Sequence, residues 1–293
     1  MSLTAEAKRG TFKRLHESGC FIIPNAYDVG TAKALEYIGF KAIASTSAGF
    51  AWSIGKSDNK VSLDELCDHL SSLCSSVEVP VNADFEGGFA RDPDGVGKNV
   101  ERALATGLAG LSIEDYTGDE GAPIYPHTLA VERIKAARAA IDSKTGDVIL
   151  VGRCEALLHG AGDLKFVIER LQAYADAGAD CLFAPGLASR EDIATVVKAV
   201  APKPVTIINT APDKTLDDIA SLGVRRISVG GGLARVAWSG FMRAAKDMVT
   251  HGTFSEFSTG FPGRELNTMF AEHRASLKTV ICMIHAKQRT TCD

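Results

Sequence analysis

The sequence predicts an α/β chain wound as a closed (β/α)8 barrel, a TIM barrel, followed by an additional C-terminal arm and helix. Three observations carry this. Short, nearly unbroken apolar runs alternate with amphipathic stretches from about residue 20 to about residue 250, as expected of parallel strands covered on both faces. One helix-to-strand joint, broken at a glycine, recurs in YIGFKAI, ATGLAGL, DAGADCL and SLGVRRI. The first strand-to-helix turn lacks GxGxxG, and eight strands exceed the usual doubly wound open sheet.

The runs, in chain order, are FIIPNA (21–26), KAIAST (41–46), VPVNADF (79–85), AGLSIED (109–115), VILVGRC (148–154), DCLFAPG (180–186), PVTIIN (204–209) and RRISVGG (225–231). Between them the clearest helical patterns cover 131–141 and 163–177. The second places Leu164, Val167, Ile168, Leu171 and Tyr174 three and four residues apart, one face of a helix. Gly39, Gly107, Gly178 and Gly223 end helices just before the next strand. After Gly252 the rhythm breaks. Gly260, Pro262 and Gly263 mark an arm, and 265–287 reads as one more helix. The division expected is a catalytic barrel over 1–253 and an oligomerisation arm and helix over 254–293, an addition that packs against something else, with a neighbouring subunit as one candidate.

Composition supports an ordinary globular chain. Of 293 residues, 45% are hydrophobic and 23% charged, which argues against disorder, collagen and coiled coil. A net charge of -4 gives no electrostatic reason to expect nucleic acid or an anionic membrane as partner. The cysteines (Cys20, Cys67, Cys74, Cys154, Cys181, Cys282 and Cys292) are odd in number and contain no CxxC, so neither a disulfide framework nor a structural zinc site is expected. The N-terminus has no apolar core of a signal peptide, and no apolar run reaches membrane-spanning length. The expectation is a cytoplasmic protein with reduced thiols.

In such a barrel the chemistry sits at the C-terminal ends of the strands. The second run ends in Ser45, Thr46 and Ser47, with Asp58 in the loop beyond. The third ends in Asn82, Asp84 and Glu86, the fourth in Glu114 and Asp115, the fifth in Arg153 and Glu155. The seventh ends in Asn209, and the eighth in Gly230 to Gly232 with Arg235 just after. A single acid at a strand end usually caps the following helix. Acids on adjacent strand ends repel one another unless a cation sits among them, and oxygen-only ligands point to Mg²⁺ or Mn²⁺. Arg153 closes an apolar strand and needs an anion. Glu114 or Glu155 can supply it, and so can a substrate carboxylate. The small residues Thr46, Ser47 and Ala48 suit a carboxylate or an oxyanion, although such residues are also ordinary turn chemistry. The triple glycine reads equally as an anion cradle and as a tight turn. Of the histidines, His127 lies near the predicted mouth and His159 could approach the rim. His16, His69, His251, His273 and His285 read as surface or helix positions. Cys154 and Cys181 read as small core residues.

These residues resemble the isocitrate lyase/phosphoenolpyruvate mutase superfamily over about residues 19–253. The carriers are PNAYDVGTAKALEYIGFKAIASTSAG, VPVNADFEGGF, GLAGLSIEDYTG, VGRCEAL, RLQAYADAGADCLFAPG and GVRRISVGGGLAR. The resemblance implies a Mg²⁺-dependent barrel that makes or breaks a C–C or P–C bond beside the carbonyl of a small 2-oxo carboxylate, through an enolate. It also implies a homotetramer, a dimer of dimers, with the C-terminal helix exchanged between neighbours. Substrate contacts carry over to Tyr27, Thr46, Ser47, Ala48, Asn209 and Arg235. Metal positions carry over to Asn82, Asp84, Glu114 and Asp58, and Arg153 is the strand-five arginine.

Two departures matter. Asn82 puts an amide where the family has its first metal carboxylate. After IED the chain reads DYTGDEGAPIYPHT, without the Cys and Lys of the lyase loop or the Lys and Asn of the mutase loop. The Glu that lyases carry after strand six is also missing, since Pro185 and Gly186 stand there. A substitute proton donor is expected among Tyr116, Tyr125 and His127, with Tyr116 and His127 joining Arg153 and Glu114 as catalytic candidates. The leading expectation is C–C cleavage or decarboxylation of a 2-oxo acid, which needs no strong acid. P–C chemistry and a lapsed, metabolite-binding barrel are the alternatives.

Overall fold

The computed structural model describes residues 3–272. Parallel strands form one sheet in the order β1-β9-β8-β7-β6-β5-β4-β3-β2. The first predicted strand is split. Pro24 has no N–H to give a ladder, so β1 (Phe21–Ile23) pairs with the last strand while β2 (Asn25–Ala26) pairs with β3 (Ile43–Ser45). Only Pro24 separates β1 from β2, so the two ends of the sheet meet and close the barrel. The remaining staves are β4 (Val81–Asp84), β5 (Gly110–Glu114), β6 (Ile149–Arg153), β7 (Cys181–Phe183), β8 (Val205–Ile208) and β9 (Arg226–Ser228). Each lies inside its predicted run, shortened at the ends where the chain turns out of the ladder.

Helices cover the outside. The predicted 131–141 stretch is the centre of α6 (His127–Lys144), and 163–177 is α7 (Leu164–Asp176) with Asp163 as its N-cap. The others are α2 (Val29–Ile38), α3 (Ser47–Ser53), α4 (Leu63–Ser76), α5 (Pro93–Leu104), α8 (Arg190–Ala199), α9 (Leu216–Ala220) and α10 (Gly232–His251). All four joint glycines take the left-handed backbone expected of them. A helix outside the repeated rhythm, α1 (Ala5–Glu17), lies at the barrel floor. Its Phe12 packs among Ile23, Ala44, Ala109, Ile149, Val151 and Cys181. Lys8 of α1 donates to the carbonyls of Cys74 and Val77 at 2.8 and 2.6 Å.

Beyond α10 come a short 3-10 turn, Ser255–Thr259, and a helical stretch over 263–272. The rest of the predicted 265–287 helix, with Cys282, Cys292, His273 and His285, lies outside the described residues. No described helix is long and apolar enough to cross a membrane. His16 and His69 do sit on helices, but both are buried rather than at the surface. Cys154 and Cys181 are buried, as their sequence context predicts, and burial pushes both thiols up.

Candidate active site

The period of two along a strand sends alternate side chains into the barrel and out to the helices. On β5 this separates neighbours. Glu114 joins the inner ring at the mouth, whereas Asp115 faces the helix layer. There Asp115 takes Arg170 at 3.1 Å and the Tyr174 hydroxyl at 2.6 Å, and its other oxygen accepts the Glu155 N–H at 2.8 Å. Asp115 thus anchors the chain after β6 and stays out of the acidic ring.

At the mouth Arg153, from the end of β6, lies 3.3 Å from both Asp84 and Glu114, and its Nε bonds Glu155. Its guanidinium also stands over the Phe183 ring, 5.1 Å from the centroid. Burial alone would weaken its charge, but Glu114, Glu155 and Asp84 together hold it protonated, above its ordinary value. The carboxylates pay for their crowding. Burial, then repulsion from Asp84 and Asp58, pushes Glu86 up to about 8. Burial raises Glu114 well above the ordinary range, and burial followed by Asp84 raises Asp58 against a hydrogen bond from Ser47.

A cavity of about 150 Å³ opens beside these groups. Thr46, Ser47, Ala48, Asp58, Asn82, Asp84 and Arg153 all line it, so seven predicted site residues converge on one space. The turn into α3 shapes one wall. Thr46 caps the helix, and the Ser47 N–H donates to Asp84 Oδ2 at 3.0 Å. Gly49 makes the turn possible: a Cβ there would lie 2.6 Å from the Thr46 methyl and 2.9 Å from the Tyr27 Cβ. Tyr27 therefore supports the wall from behind.

Asn82 sits one layer below Asp84 and accepts from the Arg226 guanidinium at 3.2 Å. That neighbour makes its oxygen a poor place for a cation. Asn209 and Arg235 line a separate cleft beside the mouth. Asn209 is tied within its own loop, to the carbonyls of Ala211 and Lys214. His127 is an exposed residue opening α6, and neither it nor Tyr116 is among the cavity-lining residues. Tyr125 is buried with the Arg133 guanidinium over its ring. Tyr116 stacks on His159, 4.2 Å between centroids, and His159 Nε2 lies 3.6 Å from Glu155. His159 thus reaches the rim.

Two residues at or near the site were not singled out from the sequence. Arg133, fully buried on α6, bonds the carbonyls of Gly87, Ala90 and Arg91 and so fixes the loop that carries Glu86. Arg226 lines the cavity floor. Arg226 heads an apolar strand, the kind of signal Arg153 also gives, whereas Arg133 stands between Glu132 and Ile134–Lys135 on a charged helix and gives none.

The donor set suits a hard divalent cation. Asp58, Asp84, Glu86, Glu114 and Glu155 surround one guanidinium, so carboxyl groups outnumber the cation they share, and every candidate ligand atom is oxygen. Among the described residues no three such groups surround one point as they stand.

A sequence profile of the family described as phosphoenolpyruvate phosphomutase matches residues 12–249. The chain is similar to the crystal structure of a lyase/mutase-type protein from Burkholderia cenocepacia, with 44% identity and a TM-score of 0.87 over 91% of this chain and 96% of that one. It is 31% identical to 2-methylisocitrate lyase of Escherichia coli, over 64% of this chain and 65% of the relative. It also matches phosphonopyruvate hydrolase in complex with oxalate and Mg²⁺, at 25% identity and a TM-score of 0.81, over 94% of this chain and 98% of that one.

Proposed function

Because this chain belongs to the phosphoenolpyruvate phosphomutase family, in the isocitrate lyase/phosphoenolpyruvate mutase superfamily, we propose that the barrel mouth is the active site of a Mg²⁺-dependent lyase. Its reaction is C–C cleavage or decarboxylation beside the carbonyl of a small 2-oxo acid, through an enolate. One observation carries the reading: the buried Arg153 guanidinium, 3.3 Å from both Asp84 and Glu114, on a cavity that Ser47, Ala48 and Asp58 also line. The phosphonopyruvate hydrolase that binds oxalate with Mg²⁺ supports the metal and the enolate in this reading, since oxalate has the shape of a pyruvate enolate.

Asp84, Glu114, Asp58 and Glu86 would hold the cation, which when bound polarises the 2-oxo carbonyl. Arg153 binds the substrate carboxylate and offsets the charge that develops on the enolate. The Ala48 N–H in the first turn of α3 is the backbone donor assigned to the enolate oxygen, because the Ser47 N–H is committed to Asp84. The breaking bond leaves its electron pair on the enolate, so the step needs no strong acid. That suits a site whose mouth loop lacks Cys and Lys.

The test is turnover of oxaloacetate and substituted 2-oxo and 2-hydroxy dicarboxylates at saturating Mg²⁺, with products identified. CO₂ or a smaller oxo acid is expected. Release of phosphate from phosphonopyruvate instead would move the site to P–C chemistry. Tight oxalate binding without any turnover would mark a metabolite-binding barrel.

A further inference from the structure

A guanidinium inside a barrel needs an anion or a full set of acceptors. Three of the deep arginines have them: Arg153 has three carboxylates, Arg170 has Asp115, and Arg133 has three carbonyls. Arg226 does not. It opens β9 and is 3% exposed. Its Nη1 donates to Asn82 Oδ1 at 3.2 Å and lies 3.5 Å from His16 Nε2. Both partners are neutral. Asn82 is an amide, and His16 donates from Nδ1 to the Phe12 carbonyl at 2.8 Å, which leaves Nε2 as a bare acceptor. The Arg226 Nε has no hydrogen-bond partner among the described residues.

This unmatched cation lines the cavity that also holds Arg153. The two guanidiniums approach it from opposite ends. Arg226 is in register with Phe21 and Thr206, at the N-terminal side of the barrel, whereas Arg153 is the last residue of β6. The wall between them is polar, with Asn25, Ser45, Ser112 and Ser228 on the lining. We propose that Arg226 is the floor of an anion subsite that receives the second carboxylate of a small dicarboxylic substrate, while Arg153 and the acidic ring act on its 2-oxo end. The proposal rests on the reading of the mouth as a 2-oxo acid site. It also explains Asn82: a carboxylate at that position would pair with Arg226 and fill the subsite from within.

Calorimetry on the full chain tests this with unreactive pairs that differ by one carboxylate, malonate against propionate and succinate against butyrate, with no added metal. The wild type is expected to bind at least one dicarboxylate about tenfold or more tighter than its mate, the scale of a charge-assisted hydrogen bond. Arg226→Met is expected to lose that preference, and Arg226→Lys to keep part of it. The melting temperature of Arg226→Met should not fall, because the change removes an unpaired buried charge. A wild type without preference, or an Arg226→Met protein that keeps it, overturns the subsite. A drop in melting temperature with the preference intact makes Arg226 a structural strut and also overturns it. Oxalate with Mg²⁺ is the separate control. Its failure to bind the wild type would sink the lyase reading, while the dicarboxylate preference would still report on Arg226.

Discussion

Arg153 and Asp84 meet at the mouth, 3.3 Å apart, where the proposed reaction would develop charge. Arg153→Ala and Asp84→Ala are each expected to lower kcat/KM by about two orders of magnitude or more. Steady-state kinetics checks this, and a loss under tenfold for either would remove that residue from the chemistry. Acid stability is set lower in the fold. Burial, then Arg226, lowers His16 to about 3, and burial lowers His69 to about 4 against the pull of Asp28. Both values lie below the unfolded value of about 6.5, so the unfolded chain binds more protons between those limits. Their contribution is therefore intact above about pH 6.5 and is lost as the pH falls, at up to about 1.4 kcal/mol per pH unit for each histidine. Glu86 works in the opposite direction. Its raised pKa costs stability as the pH climbs from about 4.5 towards 8. A His69→Phe variant, which keeps a ring against Phe50, isolates the histidine term. Denaturant titrations from pH 7 to 5 should show a flatter acid limb than the wild type, and identical limbs would mean His69 is not held neutral.

The turn from β3 into α3 and the loop after β4 are the two elements that set the cavity walls. Gly49→Ala would force a methyl against Thr46 and Tyr27, at a cost of about 1–3 kcal/mol, and would displace the Ser47 and Ala48 backbone. Substrate or oxalate affinity should fall together with melting temperature. A variant as stable as the wild type with unchanged affinity would contradict the packing described for this turn. The strands were legible because branched apolar runs and joint glycines are local signals. So were Asp84, Glu114 and Arg153, since a polar residue at the end of an apolar strand stands out. Asp115 was legible as an acid but not as a strut, because its partners Arg170 and Tyr174 lie 55 and 59 residues away. Asn209 and Arg235 carry over by resemblance, yet Asn209 follows the end of β8 and Arg235 lies in the first turn of α10, and both line a neighbouring cleft. Helix α1 has a weak signature in the sequence because its buried face includes Lys8, Arg9 and His16, which do not read as a hydrophobic stripe.

Among the described residues, the barrel is well covered except along α10 and the segment that follows it. On α10 only Ala234 is buried, while Val236, Phe241 and Val249 on it and Phe254, Phe257 and Phe261 beyond it are exposed. Apolar area of that kind calls for a partner surface. We propose a homotetramer assembled through this region, and light scattering should return four chain masses. A monomer at micromolar concentration would contradict it. The metal claim is also tested on the intact protein: EDTA should abolish activity and Mg²⁺ or Mn²⁺ restore it. The most direct measurement is calorimetric titration of oxalate into the protein, with Mg²⁺ and then with EDTA. The account predicts binding that requires the metal and disappears in Asp84→Ala. Oxalate binding that survives both EDTA and the loss of Asp84, or that never occurs, would contradict it.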